Sequence, residues 1–273
     1  MSPSLGTPTG FVPGAPRLAY DVAGEGDPVV FLHGIGGNRG NWRDQLASFA
    51  AAGRRAIAWD ARGWGDSDDY DGPLDFADFS ADLLRLMAHL GLERADFVGL
   101  SMGGFVLQDF VQRHPARVRS LVLADTSRGP MTDHGPQWVE SFLAARRTPL
   151  LAGKTPADIA PAVARSLAGR AATPEVVQRL HDSIAALHKE SYLKAMDTVT
   201  RYVIPQGHAA IGVPVLVLVG EDDTLTPPDA ARRLAQAIPG ARLELIPQAG
   251  HLANIEQPVA FDRAVLSFLA QRP

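Results

Sequence analysis

Hydrophobic positions along the chain fall into two patterns that alternate. Short, almost unbroken apolar runs occupy residues 28–32, 55–59, 95–98, 120–125, 213–219 and 242–246, and between them apolar residues recur at helical spacing near 41–52, 78–90, 105–111, 229–238 and 258–270. A strand that is apolar throughout is shielded on both faces, as happens when helices cover both sides of a parallel sheet. Residues 17–22 alternate instead, which suits an antiparallel strand. The repeated order of strand and helix predicts an α/β fold, a mostly parallel sheet flanked by helices.

The rhythm breaks once. From about 127 to 211 no buried strand is evident, only helical segments punctuated by Pro130, Pro136, Pro149, Pro156, Pro161, Pro174 and Pro205. The clearest starts at Thr173-Pro174-Glu175, with a threonine cap, proline at the first helical position and an acid in the first turn. Its apolar residues Val177, Leu180, Ile184 and Leu187 fall on one face. The expected organisation is therefore a loose arm over 1–16, rich in Pro, Gly, Ser and Thr, then a core of 17–127 and 212–273 interrupted by a helical cap over 128–211. Ligands of open α/β sheets bind outside the carboxyl ends of the strands, so the insertion is expected to roof that region.

Composition narrows the partners. The 273 residues suffice for one large domain with an insertion. A net charge of −4 supplies no basic field for nucleic acid or an anionic membrane surface. No apolar stretch reaches transmembrane length. With no cysteine, disulfides, thiolate metal sites and a cysteine nucleophile are excluded; this fits a reducing compartment, and a cytoplasmic location is expected. The expected ligand is a small molecule, and the oligomeric state is left open.

Candidate chemistry lies just past the strand ends. Gly99-Leu100-Ser101-Met102-Gly103 sits where the strand at 95–98 gives way to a helix. Glycines at both flanks allow a sharp turn that leaves Ser101 projecting at a helix N-terminus, where free N–H groups favour developing negative charge. The strand at 28–32 ends in the glycine-rich loop His33-Gly34-Ile35-Gly36-Gly37, the strand at 213–219 in Gly220-Glu221-Asp222-Asp223, and the last strand is followed by Gly250-His251. A serine hydroxyl needs an imidazole to take its proton, and the imidazole needs a carboxylate to fix its tautomer. Ser101, Asp222 or Asp223, and His251 supply those groups in that chain order.

Over about residues 18–269 the chain resembles the serine hydrolases of the α/β-hydrolase fold, whose members carry nucleophile, acid and histidine in this order. The Gly-Leu-Ser-Met-Gly-Gly elbow and the tail from Gly250 to Pro258 are similar to those of the 3-oxoadipate enol-lactonases, while the loop at His33 resembles that of general carboxylesterases. The resemblance implies Ser101 as nucleophile and His251 as base and then acid. It also implies Asp223 as the carboxylate, because family members place it three residues after the glycine that ends the strand. The backbone N–H groups of Ile35 and Met102 are the implied oxyanion donors. A serine at the elbow departs from the haloalkane dehalogenases and epoxide hydrolases of this fold, which use aspartate there. Leu252 stands where carbon–carbon bond hydrolases of ring-fission products usually have tryptophan.

The expected activity is hydrolysis of a small carboxylic ester or lactone through an acyl-enzyme, with no metal or organic cofactor. The alternatives are a carbon–carbon bond hydrolase of ring-fission diketone acids, a cofactor-free perhydrolase or haloperoxidase, and, outside catalysis, a ligand receptor on the same fold. His134, Trp138 and Leu252 are candidate pocket residues, with Met131 and Phe142 nearby. His33, Asp60, Arg62 and Gly63 read as structural. His181 and His188 lack a carboxylate at ligand spacing, and Asp66, Asp68, Asp69 and Asp71 read as a solvated acidic loop rather than a metal site.

Overall fold

The computed structural model describes residues 9–271. Its strands are β1 (Thr9–Val12), β2 (Leu18–Ala23), β3 (Asp27–Leu32), β4 (Arg54–Trp59), β5 (Ala95–Leu100), β6 (Val118–Ala124), β7 (Val215–Gly220) and β8 (Arg242–Ile246). They form one eight-stranded sheet in the order β1-β2-β4-β3-β5-β6-β7-β8. The pairs β1–β2 and β2–β4 are antiparallel and the others parallel. Every residue of the central β5 and of β7 is buried, which is why β7 reads as an unbroken apolar run and β5 as one interrupted only by Asp96, which accepts from Ser120 Oγ at 2.7 Å.

Helices cover the sheet: α1 (Arg43–Ala51), α2 (Phe76–His89), α3 (Met102–Arg113), α9 (Pro228–Ala237) and α11 (Pro258–Ala270), with the single turn α10 (Ala253–Glu256) before the last. Their starts are written in the sequence. Asp75 caps α2 by accepting from Ala77 N at 2.8 Å, while Asp78 accepts from Asp75 N at 2.9 Å, closing a capping box. Proline stands at the first turn of α9 and α11, where its missing N–H costs no intrahelical bond.

Between β6 and β7 come α4 (Pro130–Asp133), α5 (Pro136–Leu151), α6 (Pro156–Leu167), α7 (Pro174–Ala185) and α8 (Lys189–Thr200), with no strand among the described residues. Thr155 and Asp158 form a second capping box at α6, and Thr173 caps α7 through Val176 N at 3.4 Å. Leu180, Ile184 and Leu187 of the stripe read on α7 are buried. The insertion is bonded to loops that follow sheet strands and to the start of α1: Ser183 Oγ donates to Gly36 O at 3.0 Å, His251 N donates to Leu167 O at 2.8 Å, and Arg179 pairs with Asp44 at 2.7 Å. Among the described residues no helix is long and apolar enough to cross a membrane.

One sequence expectation changes. The arm expected to be loose over 1–16 is ordered from Thr9, because Thr9–Val12 forms the edge strand in register with residues 18–21; residues 1–8 lie outside the described part. The open edge of β2 needs partners for its N–H and C=O groups, and a Pro/Gly/Ser/Thr-rich segment supplies backbone as well as any other. The acidic loop is solvated, as expected, with Asp66, Asp68, Asp69 and Asp71 all exposed, and three of the four also pair with basic side chains. Asp66 pairs with Arg39 at 2.5 Å, Asp68 with Arg17 at 3.3 Å and Asp69 with His188 of the insertion at 2.9 Å.

The scaffold is tight where α3 leaves β5. A Cβ on Gly103 would sit 2.4 Å from the carbonyl oxygen of Leu32, and one on Gly99 would sit 2.5 Å from that of Gly103. Both obstacles are backbone and cannot swing aside. Gly103→Ala is accordingly expected to lower unfolding free energy by about 1–3 kcal/mol, as overpacking does. Urea denaturation reads this directly, and a loss under about 0.5 kcal/mol would show that helix and strand separate freely there.

Candidate active site

Ser101 occupies the turn between β5 and α3 with φ of +53°, a conformation that non-glycine residues adopt only when surroundings enforce it. Two hydrogen bonds do so. Ser101 N donates to Ala124 O at 2.9 Å, and Thr126 Oγ1 donates to Ser101 O at 2.9 Å. The residue is 8% exposed and lines a cavity between the sheet ends and the insertion. Met102 opens α3, so its N–H has no intrahelical acceptor and lies beside the serine.

The glycine-rich loop approaches from β3. A Cβ on Gly34 would lie 3.2 Å from Ser101 Cβ, so the loop lies directly against the turn. Trp64 Nε1 donates to Ile35 O at 3.0 Å, fixing that residue's carbonyl, and Ile35 lines the cavity. His33 is buried. Its Nε2 accepts from Ala61 N at 3.1 Å and its Nδ1 donates to Gly34 O at 2.8 Å. Burial lowers its pKa against the pull of Asp60, so the neutral ring is a fixed strut between two loops. Beneath it Asp60 takes Arg39 N at 2.7 Å and Asp66 N at 2.9 Å, and Arg62 binds Asp82 at 2.6 Å. These polar residues have structural partners, as their setting in the sequence suggests.

Of the two neighbouring carboxylates, Asp223 is the one that meets His251. Asp223 Oδ2 accepts from His251 Nδ1 at 2.9 Å and from Thr226 Oγ1 at 2.6 Å, while Oδ1 accepts from Leu225 N at 2.8 Å and Thr226 N at 2.9 Å. Burial pushes the Asp223 carboxyl up, but the charge and hydrogen bond of His251 and the Thr226 donors outweigh it and hold it below the usual range. Asp222 turns away and binds Arg170 of the insertion at 2.6 Å. With Nδ1 occupied by Asp223, His251 has its Nε2 free toward the cavity it shares with Ser101. No hydrogen bond joins Ser101 to His251 among the described residues; such contacts are often long before substrate is bound.

Several residues escape the sequence reading. Asp125 ends β6 in a left-handed conformation, fully buried, and takes Gly220 N at 2.9 Å. Burial, then the charge of Asp223, pushes its carboxyl well up from the usual aspartate value. Arg146 and Tyr192, from α5 and α8, line the cavity with Phe142, Val163, Leu180 and Ile184. Spacing held a signal for the arginine: Trp138, Phe142 and Arg146 follow at intervals of four on one face of α5.

Of the candidate pocket residues, Leu252 lines the cavity and the other two do not. Trp138 borders an adjoining surface groove on the far side of Phe142 and Arg146, and His134 stacks on Trp138 at 4.4 Å between ring centroids. The α5 face enters the cavity only from Phe142 onward, so the residues one turn earlier stay outside. His181 pairs with Asp182 and His188 with Asp69. Among the described residues no group of three or more His, Cys, Asp or Glu is arranged to hold a metal ion.

An eight-stranded sheet whose serine turn, acid and histidine converge at its carboxyl edge defines an α/β hydrolase. Residues 27–258 match the family described as alpha/beta hydrolase fold, and the chain belongs to that family. It is 34% identical over 269 residues to BpoC of Mycobacterium tuberculosis, provisionally named a non-heme bromoperoxidase, covering 93% of this chain and 98% of that protein. It is 31% identical to the 2-hydroxy-6-oxononadienedioate/2-hydroxy-6-oxononatrienedioate hydrolase of Paraburkholderia phymatum, covering 93% and 91%. The structure is similar to that of the enol-lactonase from Burkholderia xenovorans, with a TM-score of 0.81 at 28% identity over 97% of this chain and 100% of that one.

A carboxyl held below its ordinary pKa stabilises the fold above the unfolded aspartate value of about 3.9, and that contribution is lost as pH falls through the lowered value. Asp223→Asn should therefore cost stability at neutral pH, with the gap from wild type closing as pH drops below about 3.9. Urea unfolding across a pH series measures the gap; a difference that widens on acidification contradicts the assignment.

Proposed function

We propose that this chain is a serine hydrolase acting on a small carboxylic ester or lactone. In this reading the Ser101 hydroxyl attacks the substrate carbonyl as His251 Nε2 takes its proton. Asp223, accepting from Nδ1, orients the ring and stabilises the imidazolium that forms. The N–H groups of Met102 and Ile35 receive the negative charge of the tetrahedral intermediate, each such donor being worth about 3 kcal/mol. Collapse expels the alcohol, which leaves with the proton from His251. Water, activated by the same ring, then releases the acid from Ser101. No metal or organic cofactor enters any step, and helices α4 to α8 serve as the cap.

The observation that carries the reading is the buried His251–Asp223 pair facing the same cavity as a serine held at positive φ. A receptor would gain nothing from that strained turn. The named relatives differ in reaction, from lactone opening to carbon–carbon cleavage and bromoperoxidation. The ester and lactone reading is favoured over carbon–carbon cleavage by Leu252, an apolar wall residue directly after the histidine.

The test is turnover by wild type and variants on short aryl esters, small lactones and one ring-fission diketone acid. Ester or lactone turnover should lead the panel and fall by about 10³-fold or more in Ser101→Ala. Asp223→Asn should lose about 10⁴-fold in kcat, while Asp222→Asn should stay within about threefold of wild type. Preference for the diketone acid would establish the carbon–carbon reading instead. Full activity in Ser101→Ala would remove the nucleophile assignment altogether.

A further inference from the structure

Cations buried in the scaffold have anionic partners. Arg39 faces Asp21, Asp60 and Asp66, and Arg62 faces Asp78 and Asp82. Arg146 differs. It is only 8% exposed and lines the same cavity as Ser101 and His251, yet among the described residues no carboxylate lies within ion-pair distance of it. Its neighbours are the Phe142 ring, 4.2 Å from the guanidinium carbon to the centroid, and the Tyr192 phenol. Burial lowers its pKa with only Tyr192 opposing, but a guanidinium remains protonated in proteins. The cavity thus holds a positive charge with no carboxylate beside it, an arrangement that an entering anion would improve.

We propose that Arg146 binds a carboxylate carried by the substrate, so that the ester or lactone cleaved at Ser101 is itself an acid. The inference rests on the hydrolase reading for the reacting group and on Arg146 alone for the charge. A guanidinium fork matches a carboxylate with two parallel hydrogen bonds, which orients the ligand as well as attracting it. Stacking on Phe142 fixes the plane of the fork, and Tyr192 places a hydroxyl donor beside it. Val163 and Leu167 contribute apolar wall, which keeps water from weakening the charge pairing. Hydrolysis of such a substrate leaves a second carboxylate at Ser101, within the same small space as the first and near Asp223. Mutual repulsion of these charges favours departure of the product.

The experiment compares 4-nitrophenyl hemisuccinate with 4-nitrophenyl 4-methylpentanoate, in which an isopropyl group replaces the carboxylate at similar size. Wild type should prefer the hemisuccinate by about tenfold or more in kcat/KM, chiefly through KM, and Arg146→Gln should remove that preference while Arg146→Lys keeps part of it. A parallel measurement needs no turnover: sodium succinate binding to the Ser101→Ala protein by calorimetry, with succinamide as the neutral control. Succinate should bind and succinamide should not, and Arg146→Gln added to Ser101→Ala should abolish the binding. Equal loss on both esters in Arg146→Gln, or no preference in wild type together with no succinate binding, overturns the anion site. Arg146-dependent succinate binding without serine-dependent turnover of any ester would uphold the anion site and refute the hydrolase reading. If Arg146→Gln does not fold, the wild-type ester ratio and the succinate–succinamide contrast still decide.

Discussion

The close approach of α3 to the sheet is the constraint on which the rest of the site depends. Gly103 lies against the Leu32 carbonyl and Gly99 against Gly103, so the chain between them has no room for an ordinary turn. Ser101 is forced to positive φ, with its hydroxyl raised from the strand end and its peptide locked by Ala124 and Thr126. The first turn of α3 is thereby aimed into the cavity, and Gly34 brings the opposite loop to within van der Waals distance of Ser101. Strain in one dihedral angle is held by close packing spread over three strands.

Charge is managed differently in scaffold and cavity. Below the strand ends, buried ions are matched: Asp60 with Arg39, and Asp82 with Arg62 and Arg85. Asp223 receives donors from Leu225, Thr226 and His251 that hold its carboxyl below the usual range, while burial and the charge of Asp223 push the Asp125 carboxyl well up. Two carboxyl groups are thus driven in opposite directions by what surrounds them.

Much of this was legible in the chain because burial on both faces leaves an unmistakable trace. The runs at 28–32, 95–98 and 213–219 are β3, β5 and β7, and the glycine spacing around Ser101 marks the turn that the packing requires. The edge strand β1 was not legible, since only one of its residues, Val12, is buried and its pairing depends on backbone that any sequence provides. Arg146 was hidden for another reason. Arg146-Arg147 on an amphipathic helix looks like a wet face, and which arginine turns inward depends on how α5 docks on α8. That same docking, invisible in the sequence, puts Trp138 outside the cavity and Phe142 within it.

The strap that follows α6 touches both halves of the charge pair. Leu167 O holds the amide of His251 at 2.8 Å, Gly169 N binds Glu256 at 2.8 Å, and Arg170 N binds Asp222 at 3.1 Å, one residue from Asp223. The insertion is thus stitched along one seam to the loops that carry His251 and Asp223. It cannot lift along that seam without pulling on both loops. Along this rim the insertion and the loops that end two strands are mechanically one part.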